Sequence, residues 1–213
     1  MRIYITLGPS YEPIDRVRRI TNFSTGTLGT QLANAFLDEG HDLTCFRGEM
    51  STCTEQIPDR YVTPFSTLQS LINIMRERAA NSDHPSYIFH IAALTDFMIK
   101  EIRSESHLLN DPGKISSSAH ELTLSLRPAP KLIVELRSWY PKSKIVGWKY
   151  EVDGTEEEAI RKGRAQIEFN HTNACVVNGP AFGKGCAFIT SGQDVVTLPS
   201  NKELLKFLKE WAK

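Results

Sequence analysis

The clearest indication of the fold is the segment Gly26-Thr-Leu-Gly-Thr-Gln-Leu-Ala-Asn-Ala-Phe-Leu-Asp-Glu-Gly40, together with the runs that flank it. Leu28, Leu32 and Phe36 recur four residues apart, which predicts an amphipathic helix, and Gly40 supplies a stop. Apolar runs rich in β-branched residues lie on either side, at 2–7 and 42–47. This part of the chain therefore predicts the first strand-helix-strand unit of a parallel sheet.

The same alternation of short apolar runs and helix-length amphipathic segments continues along the chain. It predicts further strands at 86–93, 144–149 and 174–178, and further helices at 67–82, 130–139, 155–168 and 201–212. Residues 97–127 break the pattern with a turn signal at 110–113 and an alternating run, which predicts a strand-loop-strand excursion from the sheet. Residues 185–198 predict an antiparallel hairpin. The fold class is therefore α/β, a Rossmann-like, doubly wound and mostly parallel sheet in a single domain, 1–213.

Composition excludes several classes of function. The 213 residues carry 25 basic and 25 acidic side chains, so the chain lacks the basic surplus of a nucleic-acid-binding protein. The N-terminal apolar run is too short for a signal peptide or a membrane span. The four cysteines show no metal or redox spacing: Cys45, Cys53, Cys175 and Cys186. We expect a cytoplasmic protein with free thiols and no membrane partner.

The segment between the first strand and the first helix is the first candidate site. Gly8 follows the strand, Arg18 lies in a basic loop, and Ser24 to Gly26 lead into the helix. Hydroxyls and glycines at a helix entrance suit a phosphate cradle, with arginine as counter-charge. Alternatively, Ser24 or Thr25 is an ordinary N-cap beside a solvated basic loop. Spacing alone leaves both interpretations open.

The remaining strand ends supply further candidates, because ligands of such sheets gather at carboxyl ends. They are Ala92, Ala93 and Asp96, then Trp148 and Lys149, then Asn178, with Lys114 on a polar loop. Asp96 suits a hydroxyl, a metal ion or the cap of a turn. The histidines show no ligand spacing, and no Ser-His-Asp order is evident. The dinucleotide glycine fingerprint and the P-loop are both missing, which disfavours an NAD(P)-dependent reductase.

Taken together, these residues resemble the phosphopantothenoylcysteine synthetase (phosphopantothenate–cysteine ligase) family, and most closely its stand-alone bacterial forms. The matching segments occur in order over nearly the whole chain: Gly8-Pro-Ser-Tyr-Glu-Pro-Ile-Asp-Arg-Val-Arg18, Ile20-Thr-Asn-Phe-Ser-Thr-Gly-Thr-Leu-Gly29, Ala92-Ala-Leu-Thr-Asp96, Lys114-Ile-Ser-Ser117, Glu121-Leu-Thr-Leu124, Pro130-Lys-Leu-Ile133, Ile145-Val-Gly-Trp148 and Val177-Asn178.

The resemblance implies a ligase of coenzyme A biosynthesis. In that family the carboxylate of 4′-phosphopantothenate attacks the α-phosphate of a nucleoside triphosphate, and cysteine then displaces the nucleotide. The resemblance favours CTP over ATP, with Mg²⁺ as the cofactor. Because an anion must approach a polyanion, positive charge is needed at the transferring group.

The resemblance also implies roles for single residues. Asn22 and Lys114 are the expected catalytic residues, and the excursion at 97–127 is the expected dimerisation flap that carries Lys114, which implies a homodimer. Expected substrate-binding residues are Arg18, Ser24, Gly26, Ala92, Ala93 and Asn178. Expected nucleotide-binding residues are Gly8, Asp96, Lys114, Pro130, Lys131, Leu132, Ile133, Trp148, Lys149 and Lys162. No side chain is assigned as a metal ligand.

One departure from the family keeps an alternative open. The helix before the last parallel strand lacks two lysines four residues apart, because an ungapped alignment puts Ala165 and Phe169, or Gln166 and Asn170, at those positions. Lys162 or Arg164 would replace them only if the helix is shifted. A non-catalytic nucleotide-binding relative is therefore the second candidate, and the reductase is the third.

Overall fold

The computed structural model describes residues 1–81, 84–105, 107–110, 113–192 and 194–213. Strands within these residues are, in chain order, β1 Arg2–Leu7, β2 Tyr11–Pro13, β3 Arg19–Thr21, β4 Asp42–Gly48, β5 Val62–Phe65, β6 Tyr87–His90, β7 Phe97–Ser104, β8 His107–Leu109, β9 Leu122–Pro128, β10 Lys144–Tyr150, β11 Ala174–Asn178, β12 Cys186–Thr190 and β13 Val195–Leu198. The helices are α1 Thr27–Leu37, α2 Leu68–Ala80, α3 Leu132–Trp139, α4 Glu156–Asn170 and α5 Asn201–Trp211, with a 3₁₀ turn at Asp59–Tyr61.

The main sheet has eight strands in the order β13-β12-β11-β10-β6-β1-β4-β5. The six strands β11, β10, β6, β1, β4 and β5 run parallel to one another. Strand β12 pairs antiparallel with β11, and β13 pairs antiparallel with β12. The predicted sheet and C-terminal hairpin are therefore confirmed. The chain runs from β1 outward to β4 and β5, then returns to β6 on the other side of β1. The crevice between β1 and β6 is therefore the point at which the strand order reverses, where ligands of such sheets bind.

Helices cover both faces of the sheet because its strands are apolar on both sides. Ile3, Ile5 and Leu7 of β1 pack into a core with α1 and α5, whereas Tyr4 packs into the opposite core with α2 and α3. Helix α4 lies on the same face as α3 and covers β10 to β12. A strand buried on both faces reads as a continuous apolar run, and this is why the sequence predicted the central strands well.

The excursion predicted at 97–127 is a small separate sheet in the order β8-β7-β9. Its long antiparallel pair joins Phe97 to Pro128 and Ser104 to Leu122, with an irregularity between Ile99 and Glu101. The predicted turn at 110–113 includes Asp111 and Pro112, which lie outside the described residues. Ser82, the predicted end of the second helix, and Gln193, in the predicted hairpin, also lie outside them.

The boundaries differ from prediction where local geometry overrides the apolar pattern. The strand predicted at 86–93 is β6, which ends at His90. The backbone then turns toward the residue that follows β1, where Ala93 N–H donates to Gly8 O at 3.0 Å. Helix α3 begins at Leu132, so Pro130 and Lys131 precede it rather than open it. The short hairpin of β2 and β3 and the edge strand β5 were not predicted, since three or four residues give little periodic signal.

Candidate functional site

A cleft of about 1750 Å³ lies along the carboxyl ends of the parallel strands. Most of the predicted site residues line it: Gly8, Asn22, Ser24, Gly26, Ala92, Ala93, Asp96, Pro130, Lys131, Leu132, Ile133, Trp148, Lys149, Lys162 and Asn178. One wall is the entrance of α1, and the opposite wall is formed by the end of β10 and by α4. The strand ends therefore bring together groups that are up to 170 residues apart in the sequence.

Two glycines close the α1 side of the cleft. Gly8 has φ +75° and Gly26 has φ +79°, conformations in which a side chain is strained. A Cβ at Gly8 would lie 1.9 Å from Ser51 Oγ, and a Cβ at Gly26 would lie 2.8 Å from the same atom. A Cβ at either position would meet Ser51, so the two glycines let the segment after β1 and the α1 entrance pack closely against that residue.

The start of α1 leaves donor groups available to an anion. Its N-cap is Gly26, and no side chain caps the helix. The alternative interpretation, with Ser24 or Thr25 as the N-cap, is therefore wrong; Thr25 Oγ1 receives only a 3.3 Å contact from Thr27 N–H. By contrast, Thr67 and Thr155 cap α2 and α4 through their side chains. Apart from Thr27 N–H, which donates to Thr25 Oγ1, the first-turn N–H groups have no side-chain partner among the described residues, and with the positive end of the helix dipole they suit an anion.

Asn22 is held at the edge of this entrance. Its Nδ2 donates a 2.9 Å hydrogen bond to Leu94 O, which ties it to the segment after β6. A carboxamide nitrogen carries two hydrogens, so one remains for a ligand. The side chain is half-buried, and Ala92 and Ala93 beside it take up little space. A substrate oxygen can therefore approach the amide without meeting a negative charge.

Asp96 and Lys131 form an ion pair on the cleft wall. Their side chains are 63% and 54% exposed, so the pair contributes little to stability and is open to exchange of partners. Exposed carboxylate and ammonium groups of this kind suit a ligand such as a ribose hydroxyl or a phosphate-bound cation.

The opposite wall concentrates positive charge around one carboxylate. Glu151 pairs with Lys162 and also with Lys149, the latter at 3.2 Å. Burial acts against ionisation of Glu151, but the hydrogen bonds from both lysines keep its pKa below the ordinary value. Two ammonium groups against one carboxylate leave a net positive charge at this wall. Lys162 reaches the cleft, whereas Ala165 and Phe169 on the same helix provide no cation there.

Two polar atoms in this wall lack a partner among the described residues. Trp148 Nε1 and Asn178 Oδ1 are both buried from solvent and form no hydrogen bond within that part of the chain. Both residues line the cleft. Such groups are costly to leave unpaired, so a ligand with a complementary acceptor and donor would satisfy them.

Arg18 and Lys114 do not line the cleft of their own chain, unlike the other predicted residues. Arg18 is engaged elsewhere: it donates to Asp15 Oδ2 at 2.7 Å and to Ile115 O at 3.2 Å. Lys114 is exposed and lies on this tethered loop, residues 113–118, which we call the lysine loop. Arg18 therefore contacts the lysine loop of its own chain, and its expected contact with substrate phosphate stays a prediction.

Asp15 is the centre of that tether and was not singled out from the sequence. Its side chain is fully inaccessible to solvent, and it accepts bonds from Ile115 N–H at 3.0 Å and from the Val17 and Arg18 N–H groups at 2.8 and 2.7 Å. The bond from Ile115 N–H is the main cause that holds its pKa at about 2, against the opposing effect of burial. Asp15 therefore joins the β2–β3 hairpin to the lysine loop.

His90 is a second residue that the sequence analysis missed. It ends β6, is 9% exposed and lines the cleft. Burial lowers its pKa to about 4, so the ring is neutral near pH 7. A polar residue at the end of a central strand, two positions before Ala92, was the available signal.

Two further features are absent from the described residues. These residues hold no group of three or more His, Cys, Asp or Glu side chains arranged to bind a metal ion. Within the same ranges, no helix combines the length and the apolar character that crossing a membrane requires.

The family of the chain follows from comparison with known proteins. The DNA/pantothenate metabolism flavoprotein C-terminal domain matches residues 1–209. The chain belongs to this family. The resemblance inferred from the sequence motifs is therefore confirmed, since curated members related to the chain include coenzyme A biosynthesis bifunctional proteins.

Two curated relatives are much longer than the region that matches this chain. The CoaBC protein of Methanocaldococcus jannaschii is 32% identical over 83% of this chain and 40% of its own length, and that of Thermococcus kodakarensis is 28% identical over 85% and 42%. The chain thus spans less than half of these relatives.

The structure of the DNA/pantothenate metabolism flavoprotein from Streptococcus pneumoniae matches with a TM-score of 0.85, 25% identity and coverage of 99% and 97% of the two chains. A Cab2 complex with phosphopantothenate-cysteine shares the fold, with a TM-score of 0.73 at 20% identity and coverage of 99% and 87%.

Proposed function

We propose that this domain joins 4′-phosphopantothenate to cysteine through an acyl-nucleotide intermediate, as a cytoplasmic step of coenzyme A biosynthesis. The observation that carries the proposal is the cleft itself, in which an uncapped helix entrance, the Asn22 amide and a positively charged wall face one space. The coenzyme A relatives support the substrate class. Phosphopantothenate-cysteine bound to Cab2, a protein of the same fold, supports the product.

The reaction balances with the groups that the cleft presents. A carboxylate oxygen of phosphopantothenate attacks the α-phosphorus of the triphosphate, the bond from the α-phosphorus to the α,β-bridging oxygen breaks, and pyrophosphate leaves with the electron pair. The cysteine amine then attacks the acyl carbon, the nucleotide monophosphate leaves, and the amine loses a proton. Both steps concentrate negative charge, so fixed donors and cations favour them.

The two walls suit the two halves of this reaction. The α1 entrance offers N–H groups to phosphate oxygens, and Asn22 offers its remaining amide hydrogen to the acyl oxygen. Lys149 and Lys162 supply charge to the triphosphate in place of the family's lysine pair. The half-buried indole of Trp148 suits stacking on the base, preferentially that of CTP.

The residues present also fit Mg²⁺ that enters with the nucleotide. Mg²⁺ in such sites commonly takes one or two carboxylates and completes its shell with phosphate oxygens and water. Asp96 is a carboxylate exposed on the cleft wall, and its partner Lys131 is itself exposed. The bound ion supplies charge neutralisation at the phosphates, while Asp96 and Lys131 orient the nucleotide at the wall.

We further infer that Lys114 acts in a homodimer, in the cleft of the partner subunit. Lys114 lies outside the cleft wall of its own chain. The flap sheet that precedes and follows the lysine loop exposes apolar side chains, with Phe97 at 55%, Leu122 at 38% and Leu126 at 44%. These residues lie on one face of the paired strands, by the register of β7 with β9. An exposed apolar face of this kind is typical of an interface between subunits.

The ligase proposal is tested by mixing the protein with 4′-phosphopantothenate, cysteine, Mg²⁺ and each nucleoside triphosphate in turn. Pyrophosphate release that requires 4′-phosphopantothenate supports it, with the highest rate expected for CTP. Nucleotide binding without pyrophosphate release would instead support a non-catalytic relative, which the absence of cations at Ala165 and Phe169 favours.

Action of Lys114 across the dimer is tested by mixing two inactive variants, Asn22→Asp and Lys114→Gln, after reversible dissociation. If each cleft needs Asn22 from one subunit and Lys114 from the other, a mixed dimer retains one intact site, and an equal mixture recovers about a quarter of wild-type activity in an isologous dimer. If Lys114 acts within its own subunit, every site in the mixture carries one substitution and no activity is recovered, which would overturn action across the dimer. The converse control pairs wild type with the Asn22→Asp, Lys114→Gln double variant: a mixed dimer then has no intact site if Lys114 acts across the interface, and one intact site if it acts within its own subunit.

A further inference from the structure

The crevice between β1 and β6 contains a polar pair that the proposed mechanism does not use. Thr6 and His90 lie opposite each other on these two strands, and Thr6 Oγ1 is 2.8 Å from His90 Nδ1. Thr6 is fully buried, and His90 is nine-tenths buried but still lines the cleft. The pair therefore lies at the point where the strand order reverses, in the floor of the site.

The hydrogen bonds around Thr6 determine the tautomer of His90. Thr6 Oγ1 already accepts from Ala92 N–H at 3.2 Å. Among the described residues, the only acceptor within reach of its hydroxyl hydrogen is His90 Nδ1. If Nδ1 carried the proton instead, the buried Thr6 hydroxyl would be left without an acceptor, which is costly. Thr6 therefore donates to Nδ1, and the ring proton is on Nε2.

The second ring nitrogen, Nε2, has no hydrogen-bond partner in the described part of the chain. It is still accessible, unlike the unpartnered side-chain atoms that are buried from solvent. It therefore faces the cleft. Since the ring is buried and its pKa is about 4, Nε2 carries a single hydrogen and no charge near pH 7.

We propose that His90 is an additional substrate-binding residue, whose fixed Nε2–H donates a hydrogen bond to an oxygen of the substrate that lies over Ala92 and Ala93. This proposal rests on the ligase function and deepens it, because it assigns the floor of the cleft to the acyl substrate. A neutral donor orients a carbonyl or carboxylate oxygen without forming a strong ion pair, and so it does not impede the later departure of product.

The kinetic test compares two variants of similar length in the full chain. His90→Met removes the donor and keeps an apolar group of comparable reach, whereas His90→Gln retains an N–H at a similar distance. We expect His90→Met to raise KM for 4′-phosphopantothenate about tenfold, the scale of one neutral hydrogen bond, with KM for the nucleotide unchanged. His90→Gln should recover most of the loss. Equal kinetics for His90→Met and wild type would overturn the proposal.

A spectroscopic test separates this proposal from the ligase function. In ¹⁵N-labelled protein at pH 7, His90 should show a protonated Nε2 and an unprotonated Nδ1, and Thr6→Val should abolish this fixed tautomer. Adding 4′-phosphopantothenate alone should shift the Nε2–H resonance, with the exposed His120 as internal reference. A shift without turnover would contradict the ligase and retain the binding residue. Turnover without a shift would support the ligase and contradict the binding role of His90.

Discussion

The α1 entrance and the lysine loop contribute to one proposed reaction, but they are held in place differently. The entrance belongs to the frame of the sheet: Ala93 N–H donates to Gly8 O at 3.0 Å, and Cys53 N–H donates to Thr25 O at 2.9 Å. The lysine loop is held mainly at Ile115, whose N–H donates to Asp15 and whose carbonyl oxygen accepts from Arg18. The proposed anion-binding entrance is therefore held by the backbone, whereas the proposed delivery of Lys114 depends largely on the Asp15 carboxylate, with one backbone bond from Arg16 N–H to Gly113 O at 3.1 Å beside it.

The largest effect is expected at the lysine loop, for Lys114→Gln. Loss of a cation at the transferring phosphoryl group should lower acyl-nucleotide formation by about 100-fold or more. Because Lys114 is exposed, the free energy of unfolding should change by less than about 0.5 kcal/mol. Lys142→Gln, at another exposed lysine, is the matched control for lost surface charge. Normal turnover of Lys114→Gln, measured by pyrophosphate release, would remove Lys114 from the reaction.

The next effect is expected at the edge of the entrance, for Asn22→Asp. A carboxylate there loses the donor to Leu94 O and repels the acyl phosphate, so use of the intermediate should fall at least about tenfold. Asn22→Ala removes the donor without adding charge and should be less impaired. The comparison is made by single-turnover measurement of product formed from the acyl nucleotide. If both variants are equally impaired, charge repulsion is not the cause.

The rigidity of the entrance is tested by Gly8→Ala against Gly40→Ala. Both glycines have positive φ, +75° and +77°, so each substitution should cost about 1–2 kcal/mol of unfolding free energy. Only Gly8→Ala also places a Cβ 1.9 Å from Ser51 Oγ, whereas nothing lies within 4 Å of a Cβ at Gly40. Gly8→Ala should therefore be the less stable variant and the only one with weaker nucleotide binding, as measured by denaturation and calorimetry. Similar losses for both would show that the close contact at Gly8 relaxes.

The two regions also differ in how far the sequence predicted them. The entrance was predicted because glycines and hydroxyls follow a strand of continuous apolar residues, so the strand end fixes their place. Lys114 was noted from the sequence as a lysine on a polar loop, but its role in the reaction was implied only by the family resemblance. The tether of the lysine loop through Asp15 joins residues 100 positions apart, and no local pattern reports such a contact.

Side-chain bonding explains the other residues that the sequence left open. Arg18 bonds Asp15 and Ile115, and His90 bonds Thr6. Glu151 pairs with the lysines of β10 and α4. The role of each residue therefore depends on a partner from another segment of the chain. Residue type and spacing alone allow these side chains to face a ligand or a neighbour equally well. Which helix residue could supply positive charge likewise depended on the orientation of α4, which places Lys162 on the cleft.

The smallest effect, and the sharpest separation of the two regions, is expected for the Asp15 tether. The pKa of Asp15 is about 2 in the folded chain, below its ordinary value of 3.8, so ionised Asp15 stabilises the tethered loop fully above pH 3.8 and progressively less as the pH falls through 2. Asp15→Asn should remove this pH dependence and lower turnover by less than about tenfold at pH 7, since the amide oxygen still accepts some of the bonds.

Hydrogen exchange measured residue by residue tests this directly, with Asn22→Ala as the control that leaves the tether intact. In wild type, the Ile115 amide should lose protection between pH 3.8 and pH 2, after correction for the intrinsic pH dependence of exchange, whereas the Ala93 amide bonded to Gly8 should not. In Asp15→Asn, the Ile115 amide should already exchange faster at pH 7. If Ile115 and Ala93 lose protection together, the lysine loop and the entrance are one cooperative unit, and the distinction drawn between a backbone frame and a carboxylate tether fails.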